Sequence, residues 1–285
     1  MRNNLYSVLA CPNCGSEFTK EKEELACKKC HKVYPIVDNI PNFLARSNKH
    51  SLDESSQEHV QVEVQPLLRR IYRKITFSHT YKTKESRDRI PSLLRKLTQQ
   101  DVAINIGAGN TRHSKNLINI DIERTENVDI IADSRNLPIL DHSVDLIISQ
   151  AVLEHTPQTS VNIHEMHRVL KDGGLVYCEV PFMQTYHAHP HDYFRFTHEG
   201  LKDIFKEFHI EDYGIAVGPS SAFSLSFRTF IATLLSFGNK SLFLVVGLFA
   251  NWVTFPIKYL DFFLESSPLS HYMASGIYIV VRKKA

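Results

Sequence analysis

The sequence predicts an α/β protein with a mostly parallel sheet, preceded by a small metal-binding domain. Four of the five cysteines lie in two close pairs near the start of the chain. Between residues 101 and 218, short β-branched runs alternate with polar turns and amphipathic helical stretches, which is typical of a parallel sheet with covering helices. A long apolar stretch follows this alternating region. These three features predict a two-part protein with an apolar insert.

The composition excludes several classes of protein. The 285 residues are 43% hydrophobic and 22% charged, with a net charge of +2, which excludes a disordered tail, a collagen-like fibre and a histone-like protein. The charges are nevertheless segregated: residues 51–65 carry −4, residues 66–96 carry +8, residues 97–218 carry −9 and residues 219–285 carry +4. The near-neutral sum therefore excludes a uniformly cationic nucleic-acid binder but not recognition of RNA or a membrane by one face.

The paired cysteines predict a structural zinc site. Cys11, Cys14, Cys27 and Cys30 follow the spacing C-x2-C-x12-C-x2-C, which can place four thiolates at the corners of a tetrahedron. About fifty residues cannot build a sufficient core without such a staple. The alternatives are two disulfides, unrelated thiols, or a lipoprotein cleavage site before Cys11, for which the apolar run 5–10 is too short. We therefore predict a cytoplasmic zinc ribbon over residues 1–46.

The alternating core, residues 101–218, contains five predicted buried strands. Thr159 or Ser160 can cap a helix that Gly173 and Gly174 end, and Thr197 can open another. Only eleven residues separate Ile106 from Ile118, so the first crossover helix should be short or replaced by a loop. The predicted strands are Val102–Ile106, Leu117–Ile122, Val128–Ile131, Val144–Ser149 and Leu175–Val180.

Polar residues follow the first three strands of this core. Gly107 and Gly109 follow the first strand, Asp121 ends the second and Asp133 ends the third. Because the carboxyl ends of parallel strands meet at one edge of a sheet, these residues should line one crevice. Glycines there let the backbone approach a ligand, and a carboxylate can accept both hydroxyls of a ribose. The pattern predicts a nucleotide-binding site.

Two families resemble this chain. Cys11-Pro-Asn-Cys14-Gly15 and Tyr34-Pro-Ile-Val-Asp-Asn-Ile-Pro-Asn-Phe-Leu44 resemble the zinc-ribbon family whose members activate methyltransferases acting on tRNA, rRNA and release factors. Residues 102–217, with Val152-Leu-Glu-His155 and His164-Glu-Met-His-Arg-Val-Leu-Lys-Asp-Gly-Gly174, resemble class I S-adenosylmethionine-dependent methyltransferases, in particular the type 11 group. The resemblance implies a Rossmann-like sheet whose last strand is antiparallel, S-adenosyl-L-methionine as cofactor and a structural Zn²⁺.

The resemblance also implies which residues bind the cofactor. Asn105 stands where the family usually has an acidic residue, which alters the contact expected near the cofactor's amino group. A dehydrogenase is disfavoured because a full dinucleotide fingerprint is missing. The implied cofactor-binding residues are Asn105, Gly107, Gly109, Asp121, Asp133, Ser134, Gln150 and Ala151.

The loop after the fifth strand, residues 181–196, should face the methyl acceptor. His187 and His189 are the candidate catalytic bases, and Arg195 is a candidate anion clamp. Two alternatives stay open: the loop histidines and Asp192 bind a metal, or the loop is simply ordered by its own hydrogen bonds. The candidate substrate-binding residues are His155, Tyr186, His191, Asp192 and Arg195.

The remaining segments differ in character. We predict an acidic linker over 47–65, a basic helical segment over 66–100, an apolar insert over 219–270 and a final core strand within 271–285. The insert contains seventeen consecutive uncharged residues, 241–257, fewer than the about 20 that a spanning helix needs. It should form either a cap over the site or a hairpin lying in the membrane interface. The alternative is that it completes the core or forms a homodimer interface.

These features lead to a functional expectation. We expect a cytoplasmic methyltransferase, peripheral on the inner face of the membrane, that acts on a small or lipid-linked metabolite such as a glycan or quinone precursor. The basic segment and the apolar insert favour an anionic membrane surface as partner. Methylation of RNA or a translation-related protein, and a non-catalytic cofactor-binding or docking module, are the alternatives. The sequence leaves the acceptor itself unidentified.

Overall fold

The computed structural model describes residues 5–44, 80–188 and 191–284, which form a four-stranded sheet and a seven-stranded sheet. The predicted linker at 47–65 and the first part of the predicted basic helical segment, residues 66–79, lie outside these residues. The strands are β1 (Phe18–Lys20), β2 (Glu24–Cys27), β3 (Val33–Val37), β4 (Ile40–Pro41), β5 (Ala103–Ile106), β6 (Leu117–Asp121), β7 (Ile130–Ile131), β8 (Val144–Gln150), β9 (Leu170–Pro181), β10 (Phe208–Val217) and β11 (Gly276–Lys283). The α-helices are α1 (Lys84–Leu94), α2 (Thr159–Val169), α3 (His198–Ile204), α4 (Pro219–Ser236), α5 (Lys240–Thr254) and α6 (Asp261–Leu264).

The small sheet is the N-terminal ribbon, with antiparallel strands in the order β1-β2-β3-β4. Each cysteine pair lies in a tight turn that a backbone hydrogen bond closes. The Gly15 N–H donates to the Cys11 carbonyl at 2.7 Å, and the His31 N–H donates to the Cys27 carbonyl at 3.1 Å. Gly15 and His31 both adopt positive φ angles, 70° and 57°. These two turns bring the cysteine pairs towards each other.

The ribbon packs directly on the larger sheet. The Phe43 N–H donates to the Ile131 carbonyl at 2.8 Å, which extends the sheet beyond β7, and the Ala10 N–H donates to the Pro138 carbonyl at 3.0 Å. The Phe43 ring is buried against Tyr34, with ring centroids 5.0 Å apart. These residues belong to a hydrophobic cluster that continues into the large sheet. The ribbon and the α/β domain therefore share one core.

The large sheet has the strand order β10-β11-β9-β8-β5-β6-β7. The pairs formed by β5 to β9 are parallel, whereas β11 is antiparallel to both β9 and β10. Six strands, β5 to β10, therefore run in the same direction, and their carboxyl ends lie at one edge. This confirms the predicted mostly parallel sheet with an antiparallel last strand.

The described residues between β5 and β6 contain no helix, as the short spacing predicted. Polar side chains hold this loop instead. The Asn119 amide donates to the carbonyls of Thr111 and Asn127 at 3.1 and 2.8 Å. The Arg112 guanidinium donates to the Leu117 carbonyl at 3.2 Å and pairs with Asp129 at 2.9 Å. These bonds satisfy backbone groups that a helix would otherwise satisfy.

The prediction that Gly173 and Gly174 end the helix after Thr159 is wrong. Helix α2 ends at Val169, and Gly173 and Gly174 lie inside β9, where Gly173 adopts a φ of 78°. The helix needs no glycine to end because the buried Lys283 side chain donates to the carbonyls of His167 and Leu170, both at 2.8 Å. The capping cation comes from β11, more than a hundred residues away, so local sequence could not reveal it.

Two further boundaries differ from the prediction. The α2 helix begins at Thr159 after Gln158, without a side-chain capping bond, so the predicted capping by Thr159 or Ser160 is wrong. Thr197 does cap α3, its hydroxyl oxygen accepting from the Gly200 N–H at 3.0 Å. Strand β7 is reduced to two residues because only these pair with β6.

The apolar insert forms helices α4, α5 and α6. Asp261 closes this unit: its buried carboxylate accepts from the Ser220 and Ser221 N–H groups at the start of α4, at 2.7 and 3.0 Å. A carboxylate at this position also interacts favourably with the helix dipole. The helical run Lys240–Leu264 is long and apolar enough to cross a membrane, and only 17% of its 18-residue apolar stretch is buried.

The shared core generates a prediction about stability. Replacing Phe43 with Ala should lower the free energy of unfolding of the whole protein by about 3–5 kcal/mol, because it empties a buried site where the ribbon meets the sheet. Urea unfolding followed by circular dichroism measures this change. Leu44→Ala, at the neighbouring exposed position, is the matched control and should change it by less than about 0.5 kcal/mol. Equal stability of the two variants would contradict a shared core.

Candidate active site

The turn after β5 requires glycine at Gly107. Its φ is 67°, and a Cβ added there would lie 2.2 Å from Val152 Cγ2. Gly109, also at positive φ, has no atom within 4 Å of a Cβ added there. Its N–H donates to Asp121 Oδ2 at 2.7 Å, while the Glu123 N–H donates to Asp121 Oδ1 at 2.8 Å. The Asp121 carboxylate is thus held in place but keeps lone pairs on both oxygens for a ligand.

Asn105 lies within β5, two residues before Gly107. Its side chain is buried, and its amide nitrogen donates to Asn119 Oδ1 on β6 at 3.3 Å. The structure therefore gives Asn105 a role in joining β5 to β6. Its predicted contact with a cofactor stays a prediction.

Asp133 and Ser134 follow β7, as predicted, and both already have partners within the protein. The Arg135 guanidinium binds both carboxylate oxygens of Asp133, at distances from 2.6 to 3.1 Å. Burial opposes ionisation of Asp133, but these bonds outweigh it and lower the pKa of the carboxyl group. The Ser134 hydroxyl accepts from the Asn162 amide at 2.6 Å. A ligand amino group at Asp133 would therefore share the carboxylate with Arg135.

Gln150 ends β8 within a polar network that the sequence did not reveal, and Ala151 follows it. The Gln150 amide donates to Glu179 on β9 at 2.6 Å, and its carbonyl oxygen contacts the His113 ring at 2.9 Å. Lys82 forms an ion pair with the same Glu179 oxygen at 3.0 Å. Ala151 adopts a φ of 54°, a strained conformation for a residue with a Cβ. Such strain is typical of functional sites.

Glu154 is the second group that sequence reasoning missed. Its side chain is fully buried, and neither carboxylate oxygen has a hydrogen-bond partner among the described residues. Burial raises the pKa of Glu154 to about 7, although nearby Arg195 acts in the opposite direction. Glu154 Oε1 lies 3.9 Å from His155 Nε2 and 4.0 Å from His187 Nε2. The sequence signal that could have revealed Glu154 is a single acidic residue directly after the apolar pair Val152-Leu153.

The acceptor-side loop is organised around Arg195 and Asp192. The guanidinium binds both oxygens of Asp192, at 2.5 and 2.6 Å, and also donates to the carbonyls of Gln184 and Thr185 at 3.0 Å. Burial opposes ionisation of Asp192, but the bonds from Arg195 and the His187 N–H lower its pKa to about 2. This geometry supports the alternative that Arg195 and Asp192 order the loop, and their contact with an acceptor stays a prediction.

The other predicted acceptor-side residues divide into three groups. His155 and His187 lie beside Glu154. Tyr186 is exposed. The His191 carbonyl oxygen lies 2.5 Å from His155 Nδ1. His189 lies outside the described residues.

The ribbon cysteines fit a tetrahedral zinc ion. Their four sulfur atoms lie within 4.8 Å of one another, with Cys11 Sγ 3.6 Å from Cys30 Sγ and Cys14 Sγ 3.4 Å from Cys27 Sγ. Thiolates bound at about 2.3 Å to one zinc ion would lie about 3.8 Å apart. The Tyr34 hydroxyl lies 3.6 Å from Cys11 Sγ and can donate to a thiolate there. The four cysteines would hold Zn²⁺ as a structural ion that closes the ribbon.

Zinc content tests this site. Cys11→Ser should lower the zinc bound to purified, reduced protein by about one equivalent per chain, because a structural site needs all four ligands. Elemental mass spectrometry measures the ratio. Cys178→Ala is the matched control, since Cys178 lies buried in β9, away from the ribbon, and should leave the ratio unchanged. Zinc-free wild-type protein would contradict the assignment.

Comparisons with known families agree with the two-part architecture. The methyltransferase domain model matches residues 92–178. The model of the Trm112p-like proteins matches residues 2–39.

Individual relatives cover one part or the other. A UPF0434 protein of Proteus mirabilis is 42% identical over 57 residues, which are 19% of this chain and 97% of that protein. A demethylmenaquinone methyltransferase of Staphylococcus epidermidis is 36% identical over 69 residues, which are 23% of this chain and 29% of that enzyme. This chain thus matches less than a third of the length of that enzyme.

Among solved structures, the complex between the Haloferax volcanii Trm112 methyltransferase activator and a methyltransferase matches with a TM-score of 0.42 and 16% identity, covering 69% of this chain and 88% of that one. The family matches and the observed sheet lead to one assignment. The N-terminal part of the chain belongs to the Trm112p-like family, and its central part carries a methyltransferase domain.

Proposed function

We propose that this methyltransferase transfers a methyl group from S-adenosyl-L-methionine to a small or lipid-linked acceptor at an anionic membrane surface. The observation that carries the proposal is the exposed apolar surface of helices α4 and α5, residues 219–254, which we term the apolar hairpin. It leaves the sheet at the edge that holds the candidate active site.

The apolar hairpin and the helical turns after it expose far more hydrophobic surface than the rest of the protein. Of the 30 exposed large hydrophobic side chains among the described residues, 20 lie between Phe223 and Met273. Patches of this kind mark a surface that another molecule or a membrane covers. On α4 the exposed side chains recur at helical spacing and form one outward stripe: Phe223, Phe227, Phe230 and Leu234.

The packing between α4 and α5 uses small residues. Ala232 and Ala250 are buried, and a Cβ added to Gly247 would lie 3.6 Å from the Ala232 Cβ. The large side chains point outward instead: Phe230 is 61% exposed and Phe249 is 70% exposed. In water-soluble helix pairs the large apolar residues face inward. Small residues between helices and large apolar residues outside are the arrangement that lipid favours.

The charge of this region favours an anionic surface. Residues 219–260 contain no aspartate or glutamate and three cations, of which Lys240 is exposed, Arg228 is half-buried and Lys258 is buried. Anionic lipid headgroups attract such cations next to an apolar surface. The first acidic residue, Asp261, is buried and binds the start of α4.

The site's own residues can hold the cofactor and orient an acceptor. Bound S-adenosyl-L-methionine supplies an electrophilic methyl group. Gly107 and Gly109 would leave room for it, and Asp121 would accept its ribose hydroxyls. Alignment of acceptor and methyl group supplies most of the rate acceleration in such a displacement. Where the acceptor must lose a proton, His187 beside Glu154 is the candidate base, together with the predicted His189.

The N-terminal domain supports a second candidate function. Because residues 2–39 match the Trm112p-like proteins, methylation of RNA or a translation-related protein is the alternative. The exposed apolar hairpin favours the membrane acceptor, because RNA binding relies on phosphate contacts by cations and not on an apolar face.

Cofactor binding gives the first test. Asp121→Ala should weaken binding of S-adenosyl-L-methionine by about 10- to 100-fold, since it removes charge-assisted hydrogen bonds to the ribose. Isothermal titration calorimetry measures the affinity, and circular dichroism verifies the fold. Glu126→Ala, which changes an exposed carboxylate after the same strand, should bind normally. Absence of binding by the wild-type protein would contradict the proposed function.

Acceptor class gives the second test. With a radiolabelled methyl donor and cell extract separated into lipid, RNA, protein and metabolite pools, the label should enter the lipid pool. The double variant Phe230→Glu/Phe249→Glu should lose both this transfer and sedimentation with phosphatidylglycerol vesicles, because it places charges on the membrane-facing surface. Binding of S-adenosyl-L-methionine should be retained.

The control for this test is Val33→Glu/Val37→Glu, which charges two exposed apolar positions on the ribbon. It should sediment and transfer label like the wild type. Label found in RNA or protein would favour the alternative, and wild-type protein that stays in the supernatant at low salt would contradict membrane docking.

A further inference from the structure

Glu154, His155 and His187 converge on one point at the carboxyl edge of the sheet. One ligand atom from each residue lies within 4.8 Å of the other two. Glu154 and His155 belong to the helical turn after β8, whereas His187 comes from the acceptor-side loop after β9. The cluster is distinct from the ribbon cysteines and lies beside Ala151, at the end of the strand that borders the cofactor residues.

Backbone carbonyls set the orientation of both imidazole rings. His155 Nδ1 contacts the His191 carbonyl at 2.5 Å, and His187 Nδ1 contacts the Thr185 carbonyl at 2.9 Å. Arg195 Nη2 also lies 3.2 Å from His187 Nδ1, but its two hydrogens have closer acceptors in Asp192 Oδ2 at 2.6 Å and the Thr185 carbonyl at 3.0 Å. A carbonyl oxygen can only accept, so both Nδ1 atoms donate. In the neutral rings, each Nε2 then carries a lone pair. Both Nε2 atoms face the Glu154 carboxylate.

Hydrogen bonds within the cluster do not satisfy the carboxylate. The distances from Glu154 Oε1 to the two Nε2 atoms, 3.9 and 4.0 Å, exceed the range of a hydrogen bond. Both carboxylate oxygens are buried and have no hydrogen bond to another described residue. Burial of an unpaired carboxylate is costly. A cation that all three acceptor atoms could reach would remove this cost.

The two distances from Glu154 Oε1 to the imidazole Nε2 atoms lie at the upper end of the range for ligands of one metal ion. Ligands bound at about 2.0–2.2 Å lie between roughly 3 and 4 Å apart, depending on the angle at the metal. Ligating histidines almost always donate their other ring N–H to a carbonyl or carboxylate, which is the arrangement of both rings here. Asp192 further fixes His187 by accepting from its backbone N–H at 2.8 Å.

We propose that Glu154, His155 and His187 form a binding site for a divalent transition-metal ion. Two imidazoles and one carboxylate suit Zn²⁺, Mn²⁺, Fe²⁺ or Co²⁺ better than Mg²⁺ or Ca²⁺, which prefer oxygen ligands. Three protein ligands leave coordination positions open for water or an acceptor atom. His155 and His187 are partly exposed, so an ion can enter from solvent.

The consequence for the acceptor rests on the proposed function. An ion at this position would occupy the Nε2 lone pair of His187, so the ion would replace this imidazole as the group that promotes loss of the acceptor's proton. It would bind an oxygen of the acceptor and favour its deprotonated form, because a bound cation lowers the pKa of a coordinated hydroxyl group. The acceptor class that this site fits is therefore a hydroxyl-bearing molecule, which would be methylated on oxygen.

Cobalt is the probe for the test. Co²⁺ is titrated into the full chain with zinc already in the ribbon, without methyl donor or acceptor, and visible d–d absorption is recorded. We expect one further equivalent of Co²⁺ with nitrogen and oxygen ligands and without the intense sulfur-to-cobalt band that replacement of the ribbon zinc would give. His187→Ala and Glu154→Gln should each weaken this binding at least about tenfold.

His209→Ala is the matched control, because this exposed histidine lies on β10, and it should bind Co²⁺ like the wild type. Because His187 is partly exposed, His187→Ala should fold even if Glu154→Gln, at a buried position, does not. The proposal is overturned if the wild type takes up no second equivalent, or if both variants bind Co²⁺ unchanged. Because the titration contains no acceptor, its result is independent of where the methyl label goes.

Discussion

The common direction of strands β5 to β10 is the constraint on which the rest of this protein depends. Because these six strands are parallel, each one delivers its following residues to the same edge of the sheet. Gly107, Asp121 and Asp133 follow three of them, and Glu154 follows a fourth. The acceptor-side loop and the apolar hairpin follow the last two. The predicted cofactor residues, the Glu154–His155–His187 cluster and the hairpin therefore lie at the same edge of the sheet, although more than a hundred residues separate Gly107 from the hairpin.

The ribbon stabilises the opposite side of this arrangement by covering the short β7 edge. An exposed strand edge presents unpaired backbone groups, and the Phe43 N–H satisfies one of them at Ile131. Strand β7 has only two residues, so it would bury little surface alone. Asp133 follows it directly. The fused ribbon thus helps to fix the strand that carries one of the predicted cofactor residues, which gives the Trm112p-like domain a structural role within the chain.

The features that were predictable from the sequence are local. The cysteine spacing, the glycines after β5 and the short first crossover each depend on a few adjacent residues, and the structure has all three. Contacts between distant residues were not predictable: Lys283 on β11 ends α2, and Lys82 pairs with Glu179 across 97 positions. Glu154 was visible only as an acid beside apolar residues. Its importance follows from burial and from His187, which no local pattern connects to it.

The link between the apolar hairpin and the acceptor-side loop is a pair of backbone hydrogen bonds. The N–H groups of Phe182 and Met183, where the loop starts, donate to the carbonyls of Ser275 and Ala274 at 2.9 and 3.1 Å. Ala274 and Ser275 are buried and lead directly from the insert into β11. The insert and the loop are thus fixed to the same short segment. In the proposed function, docking of the hairpin would therefore set the height of the acceptor-side loop above the bilayer.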